Sequence, residues 1–337
     1  CTPVARLMQT PQEALRDTEH YLLICSLGIP FVMGYNVVCG ILRGLGDSRT
    51  PLYFVALACA VNIVLDFVLV GGFHLRAMGA AAATVFSQGI SFLAGLWFLH
   101  KRGFSFPFTR RDIRPTRRLT TRMLTLGMPL ALQDALINVS FLLITVIANR
   151  MGVIASASVG VVEKIIVFAM LPPAAIASAV ATMTAQNYGA GLVGRMKQCL
   201  RAGIGMSLAF GVPICLYAQF WPETLTAVFT RETGVVTMAA DYLRSYTFDC
   251  VAVAFVFCFN AYYSGQGNSW FPMTHSLIAT FACRIPLAFW FSRLWPSTLF
   301  PMGFASPLAT LLSIGLCVGF LSFNNRKLAK QFAGRNP

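Results

Sequence analysis

Charged residues, and acidic ones above all, are scarce in this sequence. Only 11% of its 337 residues are charged, with 12 Asp or Glu against 26 Lys or Arg. Soluble domains carry roughly 25% charged residues. Because the sequence is also 56% hydrophobic and contains 28 Phe, it lacks the polar residues needed to cover a soluble protein of this length. The composition therefore excludes an ordinary soluble domain and indicates a membrane protein.

Patterns of metal ligands and paired cysteines are also missing. The four His residues are scattered, no CxxC pair occurs, and nine of the ten Cys residues fall within apolar segments. We therefore expect free thiols, no metal site and no resident cofactor. An intramembrane enzyme is a further alternative, but the sequence contains no HExxH or GxSxG motif for one. Residues 189–196 are rich in Gly but lack the Lys-Ser/Thr of a phosphate-binding loop.

Long apolar segments are what the sequence does contain. A membrane-spanning helix needs about 20 mostly apolar residues. Nine segments meet this requirement, and the fifth is expected to bend because it carries Pro172 and Pro173. The sequence therefore predicts an all-α, polytopic membrane protein. The nine segments are about 21–42, 51–73, 77–100, 123–149, 155–186, 197–220, 238–264, 272–292 and 302–323.

Basic residues concentrate on one side of these segments. On that side lie 17 of the 26 Lys and Arg residues, eight of them within residues 101–122, and seven lie on the other side. The positive-inside rule makes the richer side cytoplasmic, together with the C-terminus. We interpret 101–122 as a basic linker that contacts lipid headgroups rather than nucleic acid. It separates residues 1–100, with three segments, from residues 123–337, with six.

An internal repeat relates the two halves. Residues 44–51 (GLGDSRTP) recur as residues 265–272 (GQGNSWFP), and an even number of predicted spans separates the copies. The repeats are therefore expected to be parallel, as in transporters built from two similar bundles. Relative to the second half, about 100 residues of a complete first half are missing. The sequence also starts with Cys1. We therefore expect a fragment that lacks roughly the first three helices of a twelve-helix protein.

An ordered set of motifs resembles the multidrug and toxic compound extrusion (MATE) transporters. These motifs are residues 42–51 (LRGLGDSRTP), 62–66 (NIVLD), 79–84 (GAAAAT), 162–165 (VEKI) and 185–191 (AQNYGAG). The resemblance covers nearly the whole chain and implies a two-lobe architecture, of which these are the fourth to twelfth helices. It also implies a monomer in the bacterial cytoplasmic (inner) membrane. Such a protein would export small organic, often cationic, compounds in exchange for Na⁺ or H⁺, without another cofactor.

Asn62 and Asp66 are the best candidates for binding the coupling cation. They lie four residues apart and therefore share one face of a helix. A carboxylate in a poorly solvated pocket binds a proton more tightly and can also hold a cation. The resemblance implies that Thr84 on the next helix completes the site and that Asn36 contributes from the preceding one. The alternative is a structural hydrogen bond between helices.

Further charged residues interrupt the apolar segments of the second half. Asp134 and Asp249 lie on helices where some MATE proteins carry Na⁺-binding acids, about one turn from those positions. Glu163 and Lys164 are adjacent, so they point about 100° apart and cannot simply pair. We expect Arg284 to pair with a buried acid and hold this half together. Asp134, Glu163, Asp249 and Arg284 are therefore candidates for a second polar site.

Two further functions stay open from the sequence. A flippase of lipid-linked oligosaccharides needs basic residues around a diphosphate, and the apolar segments offer only Lys164 and Arg284. A fragment that transports nothing is the other alternative. The two Gly-x-Gly motifs are expected to be structural, with Asp47/Ser48 and Asn268/Ser269 capping the helices that follow.

Overall fold

A computed structural model describes residues 12–102 and 116–332 of the chain. These residues form thirteen α-helices, two of which continue into π-helical turns at Phe67–Gly72 and Ala279–Arg284. The helices are α1 Gln12–Gly44, α2 Arg49–Asp66, α3 Arg76–Arg102, α4 Arg117–Met151, α5 Val153–Gly189, α6 Val193–Phe220, α7 Pro222–Ala227, α8 Thr233–Tyr246, α9 Phe248–Gly265, α10 Trp270–Ile278, α11 Ile285–Leu294, α12 Phe300–Gly303 and α13 Ala305–Phe332.

Nine helical stretches in the described part of the chain are long and apolar enough to cross a membrane. The predicted all-α, membrane-spanning fold is therefore confirmed. The spans are Arg16–Gly44, Arg49–Gly72, Arg76–Arg102, Arg117–Met151, Val153–Gly189, Val193–Phe220, Phe248–Gly265, Trp270–Leu294 and Phe300–Arg326.

The predicted segment 238–264 is not one continuous helix, because it breaks at Thr247 between α8 and α9. The Thr247 hydroxyl donates to the carbonyl of Arg244 at 3.1 Å, and Gln219 donates to both residues. A threonine side chain that bonds the preceding turn competes with the helical hydrogen bonds of the backbone. Hydropathy does not detect the break, since apolar residues lie on both sides of it.

The boundaries of the basic linker also differ from the prediction. Lys101 and Arg102 belong to α3, whereas α4 already begins at Arg117. A hydropathy pattern locates only the apolar part of a helix. It therefore does not predict the charged turns at these helix ends. Residues 103–115, with Arg110, Arg111 and Arg114, lie outside the described residues.

The chain divides into two compact units, Cys1–Arg114 and Pro115–Pro337. In the first unit, α3 packs along both α1 and α2, while α1 and α2 have little contact with each other. Its core includes Val38, Leu42 and Phe54. In the second unit, α5 and α9 pack against each other and against α6.

The repeated Gly-x-Gly motifs adopt the same turn in both units. Gly46 has φ +88° and Gly267 has φ +83°, and each follows the end of a helix. The N–H of Asp47 donates to the carbonyl of Leu42 at 2.9 Å, and the corresponding bond from Asn268 is 3.0 Å long. This pattern is the Schellman motif, in which a left-handed residue, usually Gly, ends the helix.

The first residue after each turn caps the following helix. Asp47 Oδ1 accepts from the N–H groups of Arg49 and Thr50, and Asn268 Oδ1 accepts from Phe271. Of the four residues predicted to cap these helices, Asp47 and Asn268 do so, whereas neither Ser48 nor Ser269 makes a side-chain cap. The hydrogen bonds from Thr50, with a further contribution from Arg102, lower the pKa of Asp47 to about 2. Asp47 is therefore ionised at neutral pH and also pairs with Arg102, at the end of α3.

Candidate cation and polar sites

Asn62 and Asp66 carry buried polar atoms that have no hydrogen-bond partner in the described structure. The atoms are Asn62 Nδ2 and Asp66 Oδ1, and both residues lie within the second membrane span. An unpaired buried polar group costs about 1–3 kcal/mol. The expected pair is thus half-buried, lies on one helix face and is available to a ligand.

Thr84 lies at about the same depth as Asn62. Ser91 on α3 donates to the carbonyl of Phe54 on α2 at 3.0 Å, and the Leu69 backbone packs against Gly79. Because these helices run antiparallel, the two contacts place Asn62 level with about residue 84. The Thr84 side chain is exposed, and its hydroxyl donates to Ala80 within its own helix at 3.0 Å.

Asn36 lies away from this level. Gly28 packs against Val85, and Gly95 packs against Val38, so α1 and α3 run in parallel. This register places Asn36 level with about residue 93, roughly 14 Å along the axis from Thr84. The Asn36 side chain is exposed and donates to Val32 of its own helix. The structure does not bring Asn36 together with the other three candidates.

In the second unit, Asp249 is almost completely buried, with 2% of its surface exposed. Ser306 on α13 donates to Asp249 Oδ2 at 2.9 Å. The other carboxyl oxygen, Oδ1, has no hydrogen-bond partner. An unpaired carboxyl oxygen at a buried position is a candidate for contact with a ligand.

Arg284 is also buried, and it does not make the direct ion pair with a buried acid that the sequence led us to expect. Its guanidinium donates to the hydroxyls of Ser140, at 3.3 Å, and Tyr246, at 3.2 Å. The guanidinium carbon lies 4.3 Å from the ring centre of Phe141. Arg284 interacts electrostatically with Glu163 and Asp249, but neither acid lies within 4.0 Å. Two neutral hydroxyls and an aromatic face contact this cation, whose planar fork reaches several acceptors, while its Nε has no hydrogen-bond partner.

The remaining candidates of the second unit divide into two groups. Glu163 is half-buried, and its Oε1 has no hydrogen-bond partner, whereas the adjacent Lys164 is exposed. Asp134 is exposed on α4 and makes no ion pair with a described residue. The structure thus gathers Glu163, Asp249 and Arg284 into one electrostatic cluster and leaves Asp134 outside it.

Sequence reasoning overlooked several polar residues of the spans. Gln88 on α3 has a buried Oε1 without a hydrogen-bond partner. His275 is 1% exposed and bonds Ser313 at 2.6 Å and Asn260 at 2.8 Å, which ties α10 to α13 and α9. The available signal was an amide or imidazole within an apolar segment, since such residues are rare in membranes and usually face a partner.

Comparison with known proteins identifies the class to which this helical membrane protein belongs. The sequence model of the MatE family matches residues 1–68 and 129–290, so the chain belongs to the MATE family. MATE proteins are membrane transporters and not enzymes. The resemblance carried by the sequence motifs is thereby confirmed.

Similar proteins include multidrug resistance and export proteins of two bacterial species. "Probable multidrug resistance protein YoeA" of Bacillus subtilis (strain 168) is 27% identical, over 95% of this chain and 71% of that protein. "Probable multidrug resistance protein YpnP" of the same strain is 29% identical, over 94% of this chain and 70% of that protein. "Multidrug export protein MepA" of Staphylococcus aureus (strain NCTC 8325 / PS 47) is 25% identical, over 72% of this chain and 53% of that protein.

Solved structures show the same fold. The "Crystal structure of MATE in complex with MaL6" has a TM-score of 0.90 at 22% identity, covering 98% of this chain and 74% of that one. The "Outward-facing conformation of a multidrug resistance MATE family transporter of the MOP superfamily" also has a TM-score of 0.90, at 20% identity. It covers 96% of this chain and 73% of the solved one. At these identities the likeness establishes the fold alone.

Proposed function

We propose that this chain exports small organic compounds from the cell and couples their export to the inward movement of Na⁺ or H⁺. The observation that carries the proposal is the Asn62–Asp66 pair. Both residues lie within a membrane span, and each has a buried side-chain atom without a hydrogen-bond partner. A carboxylate at such a position is costly unless it serves a pathway or binds an ion. The names of YoeA, YpnP and MepA, which describe multidrug resistance or export, support the same reading.

Coupling follows from the different states of Asp66. The carboxyl binds a proton or a Na⁺ ion when the site is open to the side of higher concentration. It loses that ion on the other side, and the two occupancies favour different conformations of the transporter. No ATP is needed, since the ion gradient supplies the free energy. The second cluster, with Glu163, Asp249 and Arg284, contributes a further charged region to the transport path, and Asp134, which lies outside this cluster, is a separate candidate.

The proposal extends to location and partners. With 17 of 26 basic residues on one side of the spans, we place that side and the C-terminus in the cytoplasm. The membrane is the cytoplasmic (inner) membrane of a bacterium. The partners are organic substrates and lipid, the active form is a monomer, and the coupling ion is the only cofactor.

The test is dye export from proteoliposomes that contain the purified chain, under an imposed Na⁺ or pH gradient. We expect one gradient to drive export and Asp66→Asn to abolish the gradient-driven part, because an amide cannot exchange a proton or neutralise a cation. Asp241→Asn is the matched control, since Asp241 lies outside the nine spans and its ion pair with Arg244 is only partly buried.

Two results would contradict the proposal. If Asp66→Asn exports dye at the rate of the unaltered chain under the same gradient, Asp66 does not couple transport. If no gradient drives export but a lipid-linked sugar crosses the bilayer, the flippase alternative replaces drug export.

A further inference from the structure

One face of α3 is apolar and exposed, and it ends in a lysine. Four large side chains on this face are exposed over 42–63% of their surface: Phe86, Ile90, Leu93 and Trp97. They are spaced by three or four residues and therefore lie along one side of the helix. Lys101 continues the same side four residues after Trp97, in the last turn of α3. An exposed apolar face on a membrane span contacts the acyl chains of lipid.

The Lys101 side chain folds back over the ring of Trp97. Its Nζ atom lies 5.1 Å from the ring centre. Lys101 is exposed and makes no ion pair with a described residue. Trp is enriched where a span meets the membrane surface, and a Lys there lays its stem on apolar surface and keeps its charge in water. The pair therefore places an ammonium group at the level of the lipid headgroups.

The adjacent Arg102 has a different environment. Its guanidinium pairs with Asp47 and lies 5.7 Å from the ring centre of Phe98. The Phe98 ring packs edge-on against Phe54 of α2. The charge of Arg102 is thus balanced within the first unit, whereas no described acid pairs with Lys101. Lys101 is therefore a cation, at the end of the apolar face, that is available to an anionic group outside the protein.

The second unit carries the same aromatic–lysine pair at the corresponding place in its last helix, α13. There the aromatic residue, Phe323, is also exposed, and a Lys again follows it by four residues. The positions that make protein contacts in α3 differ, since the equivalents of Phe98 and Arg102 are the buried Asn324 and Leu328. A shared lipid environment explains why only the outer pair recurs. The matching positions are residues 83–84 with 309–310, Trp97 with Phe323, and Lys101 with Lys327.

We propose that this end of α3 binds an anionic phospholipid, with the Lys101 ammonium on the lipid phosphate and the acyl chains along the apolar face. A free phosphate would gain only the one exposed cation, whereas a phospholipid also covers the exposed rings and leucine. The assignment rests on the proposed orientation, which puts this helix end in the cytoplasm, where basic residues beside a span attract anionic lipid.

Quenching of Trp97 fluorescence by brominated lipid measures this binding at one place. The chain keeps Trp97 and carries Phe at its other four Trp positions, all of which are at least 45% exposed, so that packing changes little. It is reconstituted in bilayers of phosphatidylcholine and phosphatidylglycerol, with bromine on the acyl chains of one lipid or of the other. Because bromine quenches only at short range, the ratio of the two quenching efficiencies reports the lipid preference at Trp97. The replaced residues are Trp221, Trp270, Trp290 and Trp295.

We expect phosphatidylglycerol to be preferred at Trp97 by about fivefold, the effect of one basic residue beside a charged lipid surface. Lys101→Gln should abolish the preference, and Lys101→Arg should keep it. Arg76→Gln is the matched control, because it removes the same charge from an exposed side chain at the opposite end of α3. It should leave the preference unchanged. High salt should weaken the preference of the unaltered chain, since it screens exposed charges.

Three results would overturn the inference. Equal quenching by the two lipids would show that the site does not select an anionic headgroup. No quenching by either lipid would show that protein covers this face. A full preference in Lys101→Gln would assign the lipid to other basic residues. None of these results depends on transport, so a chain that prefers phosphatidylglycerol but exports no dye would contradict the proposed function alone.

Discussion

Individual polar residues within the spans meet the cost of burial in different ways. Arg284 bonds two hydroxyls and lies over an aromatic ring, but its Nε has no hydrogen-bond partner. Asp249 bonds the hydroxyls of Ser306 and Thr310, but its Oδ1 has no partner. Asn62 and Asp66 each leave an atom without a partner. Since an unpaired polar group in lipid is costly, each of these unpaired atoms is a candidate for contact with a ligand.

Arg284 provides a prediction about stability. Arg284→Lys keeps the charge but loses the planar fork that reaches both Ser140 and Tyr246. We expect the free energy of unfolding to fall by about 1–3 kcal/mol, the cost of losing hydrogen bonds to a charged group. Thermal unfolding in detergent, followed by tryptophan fluorescence, measures the change.

The control for this substitution is Arg293→Lys. Arg293 also lies over an aromatic ring, that of Phe289 at 4.4 Å, but its side chain is exposed. Loss of this contact should lower the free energy of unfolding by less than about 1 kcal/mol. Equal effects of the two substitutions would mean that the hydroxyl partners of Arg284 contribute little to stability.

The internal repeat is most visible in the turns that end the helices. The helix-ending turns at Gly46 and Gly267 share their backbone angles and hydrogen bonds, although only some of their residues are identical. Gly191, with φ +74°, forms the same turn after α5. The left-handed residue is thus the shared requirement, and the flanking residues differ with their surroundings.

A substitution at these turns tests the requirement. Gly46→Ala and Gly267→Ala place a Cβ in the left-handed region, which costs about 1–2 kcal/mol. Gly44→Ala is the control, because this helical glycine has no positive φ and open space around its Cα. We expect it to be neutral or to stabilise by up to about 1 kcal/mol.

Thermal unfolding of the three variants distinguishes backbone conformation from local crowding. If Gly44→Ala lowers the midpoint as much as Gly46→Ala does, the left-handed conformation is not what the motif requires. Gly265, the repeat counterpart of Gly44, is not a suitable control. A Cβ there would lie 2.6 Å from the carbonyl oxygen of Ala181.

For the whole molecule, the distribution of basic residues predicts which loops face the cytoplasm. We expect Ser48→Cys, in a background without other cysteines, to react from the cytoplasmic side with a membrane-impermeant maleimide. Ser297→Cys, which lies after α11, should react from the opposite side. Both serines are exposed, so accessibility within the protein does not decide the result.

Labelling in intact cells and in inverted vesicles measures this orientation. Reaction of both cysteines from one side would contradict the predicted order of spans between them. Reaction of each from the side opposite to that predicted would reverse the orientation but leave the spans intact. The experiment therefore separates the number of crossings from the positive-inside argument.

The membrane spans were predictable from sequence because lipid burial depends on a continuous apolar run, which composition reveals directly. The helix ends were less so, since the first turn of α4 at Arg117 is helical but charged. The break at Thr247 depends on a side chain that bonds the preceding turn, and hydropathy does not report that bond.

The repeat, the family and the shared face of Asn62 and Asp66 follow from the sequence alone, since each depends on spacing along one segment. The tertiary structure decided which residues lie at one depth. In the structure, Thr84 lies level with Asn62, and Asn36 lies about two and a half helical turns from that level. The side-chain oxygen of Gln88 has no hydrogen-bond partner. Depth depends on how far one helix slides along another, and packing between residues distant in sequence sets that distance.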